Sequence, residues 1–498
     1  MQSRTAPISP SNAFLARRAF LKLSGAALLA AALPTQGAPL SVAASATARP
    51  TYPFPQHTTY TAGTIRPNHK TQRQLDQAVK NFYRLWRQQY VRAGCKAGHY
   101  VVLPLGEGGG KASNSISVSE GHGYGMILMA LFAGYDAQAQ RTFDGMYRFF
   151  LDHPSRINRH LMAWNQAGKS CRDAKGAFSA TDGDMDIAYA LLLADKQWGS
   201  AGAINYRAAA VQMIEAGILR GDINPVNYHP TFGDWVKPND PTYYCATRTS
   251  DFMVEHLRAY EAATGNNDWT AVRETCYNLV EYIQEIYSPD TGLLPDFIQE
   301  INNEPYPPAG VLLEADTDGA FSYNACRTPW RLATDYLISG EPRAYNAVNK
   351  MTAWIKGATG GDPTQIFGGY ELDGTPIDVD DRYSMAFIAP FGVGAMVDTA
   401  HQDWLNAIWD LVVAESLNDE DYYGNTLKLL SLVVMSGNWW SPAPVASQAA
   451  AVATGEMDDA GDAAEDEWPA IEALPVDLAD DAATATVQTV YLPFISRK

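Results

Sequence analysis

The chain has 498 residues, a formal net charge of −18 and a hydrophobic share of 46%. That share supports a sizeable core and excludes a chain disordered throughout. The negative balance argues against nucleic acid and anionic membranes as partners and leaves a neutral or cationic polymer as substrate.

The first 46 residues read as a targeting segment. Arg17-Arg18-Ala19-Phe20-Leu21-Lys22 precedes an apolar stretch from Leu23 to Leu33, too short to span a bilayer. The pattern resembles a twin-arginine signal, with small residues following to Ala46. It predicts a secreted protein exported in folded form. No later segment reaches membrane-spanning length. Residues 47–70 are rich in Pro and Thr and read as a linker.

From residue 71 to 441 the apolar residues recur three and four apart, the spacing of helices with one buried face. The pattern predicts helices at 72–92, 120–133, 137–152, 183–198, 205–219, 247–264, 268–288, 326–339, 343–357, 383–397, 401–415 and 422–436. They fall into six pairs. Connections within a pair are short, and those between pairs are long and rich in Gly, Asp, Pro and aromatics. An all-α fold follows, a toroid of six hairpins or (α/α)6 barrel, with the long loops gathered at one end as a cleft. Residues 442–480 form an acidic Ala/Pro-rich stretch expected to be disordered. Residues 481–498 form a short apolar tail ending in Arg497-Lys498. It suits a surface-retention tail or a strand docked on the barrel.

Five cysteines with no CxxC exclude the usual zinc spacings and leave at least one thiol unpaired. One or two disulfides, or none, fit the count.

Two segments carry the chemistry. Ser119-Glu120-Gly121-His122-Gly123-Tyr124-Gly125-Met126 and Ala180-Thr181-Asp182-Gly183-Asp184-Met185-Asp186 each set an acid among glycines at the start of a helix. Small neighbours let such an acid reach a cleft. Two acids from distant segments are the equipment of glycoside hydrolysis. Each also has a plain structural reading, Glu120 as a charge partner of a helix N-terminus and Asp182 as a helix N-cap. The spacing Asp182-x-Asp184-x-Asp186 fails as an EF-hand, because Ile187 and Leu193 stand where Gly and Glu are needed.

These two segments, with Tyr323-Asn324-Ala325-Cys326-Arg327-Thr328-Pro329-Trp330-Arg331 and residues 422–440, resemble glycoside hydrolase family 8. The resemblance spans roughly 75–440. It implies the (α/α)6 barrel, inversion at the anomeric carbon and β-1,4-linked polysaccharide substrates: cellulose, mixed-linkage glucan, chitosan or xylan. It implies Glu120 as general acid and Asp182 as the residue that contacts and distorts the sugar to be cleaved. Many members carry an aspartate base where this chain has Asn324, and an amide is no base at neutral pH. A subgroup of chitosanases and β-glucanases has Asn there and draws its base from a glutamate just upstream. The loop 304–319 offers Glu314, with Asp316 and Asp318 as rivals. Asn324 would then orient water or sugar. Arg327 resembles the family residue that supports the carboxylates, and Arg331 lies four residues on.

Trp164, Trp235, Tyr124 and Tyr383 are loop or loop-edge candidates for sugar stacking, each with core packing as the competing role. Trp330, Trp439 and Trp440 are assigned to the core. Inverting hydrolysis needs no metal and no cofactor. Asn324 also admits a second reading, a catalytically impaired polysaccharide-binding protein on the same barrel. A polysaccharide lyase is disfavoured by the lack of basic clusters.

Overall fold

The computed structural model describes residues 48–104, 114–443 and 468–474. The segment 1–46 expected to be a signal, the tail 481–498 and most of the acidic stretch lie outside them.

Inner and outer helices differ by composition. In α2 (Ser119–Leu131) only Glu120 escapes full burial. Every residue of α11 (Met385–Ala395) and α13 (Tyr422–Met435) is buried. α4 (Thr181–Trp198) and α9 (Thr328–Ser339) are nearly as buried around their girth, and α7 (Val254–Thr264) completes this set. A helix apolar on all sides belongs inside. α2, α4, α7, α9, α11 and α13 pack in that order, and α13 closes back on α2.

α1 (Gln72–Tyr90), α3 (Ala139–Asp152), α8 (Asp268–Ile286), α10 (Pro342–Ala358) and α12 (Gln402–Ala414) bury one face each. The sixth outer rod is composite. α5 (Tyr206–Gln212) runs through a π-helical stretch, Met213–Ile218, into α6 (Leu219–Gly221). Inner ring and outer ring make the (α/α)6 barrel.

Connections from inner to outer helices are short. Those leading back in are long for five of the six inner helices, α12 to α13 (415–421) being the short one, so the N-termini of the inner helices share one end with the long loops. Small antiparallel pairings stiffen these loops: β1 (Val91–Ala93) with β2 (Tyr100–Val102), β3 (Ser115–Val118) with β4 (Asn165–Ala167), and β4 with β5 (Arg172–Asp173). β6 (Thr247–Arg248) pairs with β7 (Phe297–Ile298). The helix expected at 247–264 therefore begins late, at Val254, because Thr247 and Arg248 are spent on β7 and a 3-10 turn, Thr249–Asp251, follows. Cys95 and Cys171 form a disulfide, and Cys245, Cys276 and Cys326 are free.

Two expectations fail for related reasons. The stretch 47–70 is no linker where it is described. It lies across the far end of the barrel, with Phe54 and Tyr60 buried. Its N–H groups donate to carbonyls near inner-helix ends: Thr51 to Gln197, Phe54 to Ala133, Thr58 to Gly437, Thr61 to Leu337 and Ile65 to Met396, all at 2.7–2.9 Å. These carbonyls are among the acceptors that a helix cannot satisfy for itself. The acidic stretch also contains an ordered piece, 468–474. Trp468 packs against Tyr135 at 5.1 Å and Tyr83 at 6.0 Å, and the Arg87 guanidinium lies 5.1 Å from its ring. It thereby covers the buried Arg87–Asp136 ion pair of 2.8 Å. Ala93 N–H donates to Glu472 O at 2.8 Å.

Among the described residues no helix is long and apolar enough to cross a membrane. Trp468→Ala is expected to cost about 1–2 kcal/mol of stability, from lost aromatic contact and exposure of that ion pair. The check is a lower melting temperature with unchanged turnover, since Tyr83, Arg87 and Tyr135 touch none of the carboxyls described next.

Candidate active site

Glu120 and Asp182 each occupy the second position of an inner helix. Val118 and Ala180, the residues at the N-caps of α2 and α4, are extended and offer no side-chain cap. Asp182 is therefore not the N-cap expected from the sequence. Its Oδ1 accepts from the N–H of Gly183 at 2.9 Å. The glycines around both acids serve close packing of the helices. A Cβ on Gly123 would lie 2.6 Å from Asp186 Cβ, one on Gly183 would strike Ser119, and one on Gly121 would strike the Tyr422 hydroxyl. Small residues here let α2, α4 and α13 converge, and convergence brings the two acids together.

Arg327 joins them. Its Nη1 donates to Glu120 Oε2 at 2.8 Å and to Asp182 Oδ2 at 3.1 Å, and its Nη2 donates to Asn324 Oδ1 at 2.9 Å. Asn324 Nδ2 in turn donates to Glu314 Oε2 at 2.9 Å. A continuous hydrogen-bonded relay thus runs from Glu120 through Arg327 and Asn324 to Glu314, holding the two glutamates apart. Arg248, on β6, donates to Asp182 Oδ2 at 2.9 Å, and its side chain is nearly inaccessible.

Burial sets the charge states. It pushes Glu120 up to about 7, against the pull of Arg327 and with the Asp182 charge adding to the rise. It pushes Glu314 up to about 8, against Arg248 and the Asn324 hydrogen bond, with Asp296 and Asp318 adding to it. Burial acts on Asp182 too, but Arg248 and Arg327 outweigh it and hold that carboxyl below the ordinary range. One acid of the Glu120–Asp182 pair is kept ionised and the other is favoured protonated.

The rivals of Glu314 have other surroundings. Asp316 is exposed on the loop. Asp318 is buried, and its carboxylate accepts the backbone N–H groups of Leu312, Leu313, Glu314 and Ala315 at 2.7–2.9 Å. Arg331 lies deeper, paired with Asp186 at 2.6 Å, and His256 meets the same aspartate at 2.9 Å.

The aromatic candidates separate. Tyr124 is fully buried, with its hydroxyl 3.4 Å from Arg327 Nη1, so it backs the guanidinium. Trp164 is buried and carries Lys175 over its ring at 4.9 Å, which leaves it packed in the loop layer. Trp235 is half-buried beside Phe232 and Tyr243. Tyr383 is tied to Glu415 through its hydroxyl. It has a left-handed backbone (φ 71°) and precedes α11, which starts at Met385.

Sequence reasoning missed Arg248 and Asp296. Asp296 accepts the N–H groups of Ser322, Asn324 and Ala325 at 2.6–3.1 Å and so fixes Asn324. Arg248, on the two-residue strand β6, and Asp296, in a loop, have no spacing to mark them. Among the described residues no His, Cys, Asp or Glu group is arranged to hold a metal ion.

The sequence model of the family described as glycosyl hydrolases family 8 matches residues 109–437. The chain belongs to glycosyl hydrolase family 8. Its relatives within that family include the beta-glucanase of Niallia circulans, 46% identical over 400 residues that cover 80% of this chain and 94% of the relative. The endoglucanase of Bacillus sp. (strain KSM-330) is 39% identical, covering 80% and 84%. Among solved structures, the apo beta-1,3-1,4-glucanase of Paenibacillus sp. X4 superposes with a TM-score of 0.74 at 46% identity, covering 79% of this chain and all of that one. A family 8 xylanase from Teredinibacter turnerae, 18% identical with a TM-score of 0.62 over 77% and 99% of the chains, shares the fold. As a family 8 member the chain is a glycoside hydrolase.

The raised carboxyls carry a consequence for stability. A buried acid whose folded pKa lies above its unfolded value stabilises fully below the ordinary range near 4, and the contribution is lost as pH rises through the folded value. For Glu120 and Glu314 that window runs up to about 7 and about 8. Glu314→Gln is expected to melt above the wild type at pH 9 and level with it at pH 4. Calorimetry at both pH values measures the difference.

Proposed function

We propose that this enzyme cleaves internal β-1,4 bonds of a β-glucan with inversion of configuration. Glu120 protonates the leaving oxygen. Glu314 takes a proton from the attacking water, which Asn324 orients. Asp182, held ionised by two guanidiniums, grips the sugar at the scissile bond.

The observation that carries this reading is the relay Glu120–Arg327–Asn324–Glu314, with a part-buried carboxyl at each end. Inversion needs an acid and a base on opposite sides of the sugar, with room for water between them. Two part-buried carboxyls linked through two intervening side chains suit that need. Glu120, raised to about 7 by burial and the charge of Asp182, keeps a proton to donate up to neutral pH. Burial raises Glu314 further than Glu120, to about 8, and Arg248 and the Asn324 hydrogen bond pull against that rise, favouring the ionised form that a base requires. Glucan is chosen over chitosan and xylan because the relatives at 46% and 39% identity and a solved structure at 46% identity are named for glucanase activity.

Glu120→Gln and Glu314→Gln are each expected to lower kcat on mixed-linkage glucan by about 10²–10⁴, the usual worth of a positioned acid or base, with the fold intact. The wild-type reducing ends should form first as the α-anomer, read by proton NMR within minutes of mixing. A β-anomer first product would contradict inversion. Faster release from chitosan or xylan than from lichenan or carboxymethylcellulose would move the substrate assignment. Export through the Arg17-Arg18 segment belongs to the same reading. Replacing both with lysine should leave the activity inside the cell.

A further inference from the structure

The loop that delivers Glu314 has little regular structure of its own. Leu313 inserts into a small buried cluster with Val118, Trp164, Phe232 and Phe297, and half-buried Leu312 packs beside it. That apolar anchor fixes the loop's depth and leaves open which way residue 314 faces.

Asp318 closes that freedom. Its Oδ2 accepts three successive N–H groups, from Leu312 at 2.8 Å, Leu313 at 2.7 Å and Glu314 at 2.9 Å, and its Oδ1 accepts that of Ala315 at 2.8 Å. The residue is buried, and its own backbone is tied down. Its N–H donates to Ala315 O at 3.1 Å, and its carbonyl accepts Phe297 N–H of β7 at 2.9 Å. The carboxylate therefore gathers the peptide groups on both sides of Glu314 and fastens them to the floor of the site. Hydrogen bonds from N–H groups to a charged acceptor are among the stronger ones available to a loop.

We propose that Asp318 is the positioning residue for the catalytic base, fixing by its four backbone hydrogen bonds where the Glu314 carboxyl stands. The proposal rests on the assignment of Glu314 as base. Asp318 touches no reacting atom in this role. With four donors already on its oxygens, it is not itself a free proton acceptor. The groups that set the charge of Glu314 are Arg248 from β6, Asn324, Asp296 and Asp318 itself.

The test is a double-mutant cycle on mixed-linkage glucan with D318N, E314Q and the pair, and D316N as the control at an exposed neighbour. An amide nitrogen cannot accept the N–H groups that Asp318 receives on one of its oxygens, so D318N should loosen the loop at nearly constant volume. Displacement of a catalytic group by about 1 Å can cost 10²-fold. The expected result is a fall in kcat of about 10–100-fold with KM within twofold, and D316N at wild-type rate. The pKa of the kcat/KM profile that belongs to Glu314 should move down, because a negative charge beside it is gone. Gly319→Ala serves as second variant, since its Cβ would strike Pro308 O and shift the loop without altering charge. It should lower kcat and leave that pKa in place. In the E314Q background D318N should cost nothing more, because it acts through Glu314. Wild-type kinetics in D318N, or an equal further loss when it is added to E314Q, would overturn this proposal alone. Full activity in E314Q would remove the base assignment and this proposal with it.

Discussion

The guanidinium of Arg327 is the interaction on which the site depends. It lies buried among Glu120, Asp182 and Asn324, which come from three separate segments of the chain. A buried charge is tolerable only when paired and hydrogen-bonded, and removing one partner leaves the rest uncompensated. Arg327 and Arg248 together satisfy Asp182, which stays ionised. Little positive charge is left over for Glu120. The same guanidinium that holds Glu120 in place thus fails to hold it ionised, and a carboxyl that retains its proton near neutral pH results. The charge state of each acid is a property of the cluster and of its isolation from water.

The barrel explains why these groups meet at this end. Long loops lead into five of the six inner helices, and the six N-termini share the end where those loops lie. Helix N-termini favour negative charge, which suits acids in the first turns of α2 and α4. The glycines in those turns let the helices approach to side-chain contact. Arg327 itself closes a 3-10 turn, Ala325–Arg327, just before α9. Asn324 precedes that turn, where Asp296 pins its backbone. Two kinds of restraint therefore act at once, helix packing on the acid side and buried carboxylates gripping loop N–H groups on the base side.

What was legible in the sequence follows from period and proximity. Apolar spacing marks helices strongly, so all twelve rods could be anticipated, most within a few residues of their observed ends. Glu120, Asp182, Asn324 and Arg327 lie in contiguous motifs and could be named. Glu314 was reachable only by asking where a base could come from once Asn324 could not supply it. Arg248, Asp296 and Asp318 act through backbone contacts or through partners far along the chain, and no spacing reports that. The glycines were misjudged as clearing access to a cleft, because a one-dimensional pattern does not show which helix lies opposite. Two segments were misread from composition. Pro and Thr between 47 and 70 hide an extended strap whose partners are helix ends, and the acidic run hides Trp468, Ile471 and Leu474, which meet the core.

That strap sets an order of events during synthesis. Thr58 is bonded to Gly437, so one of the first described residues is matched with the turn after the last inner helix. Ribosomes deliver the N-terminus first, and every helix in between must follow before its partner exists. Until then α2 has no α13 beside it, and the apolar flanks of both stand open. Contacts so distant in sequence are slow to form. The chain therefore completes its ring late and all at once, and an incomplete product lacks both the seal at the far end and the convergence of helices that builds the site.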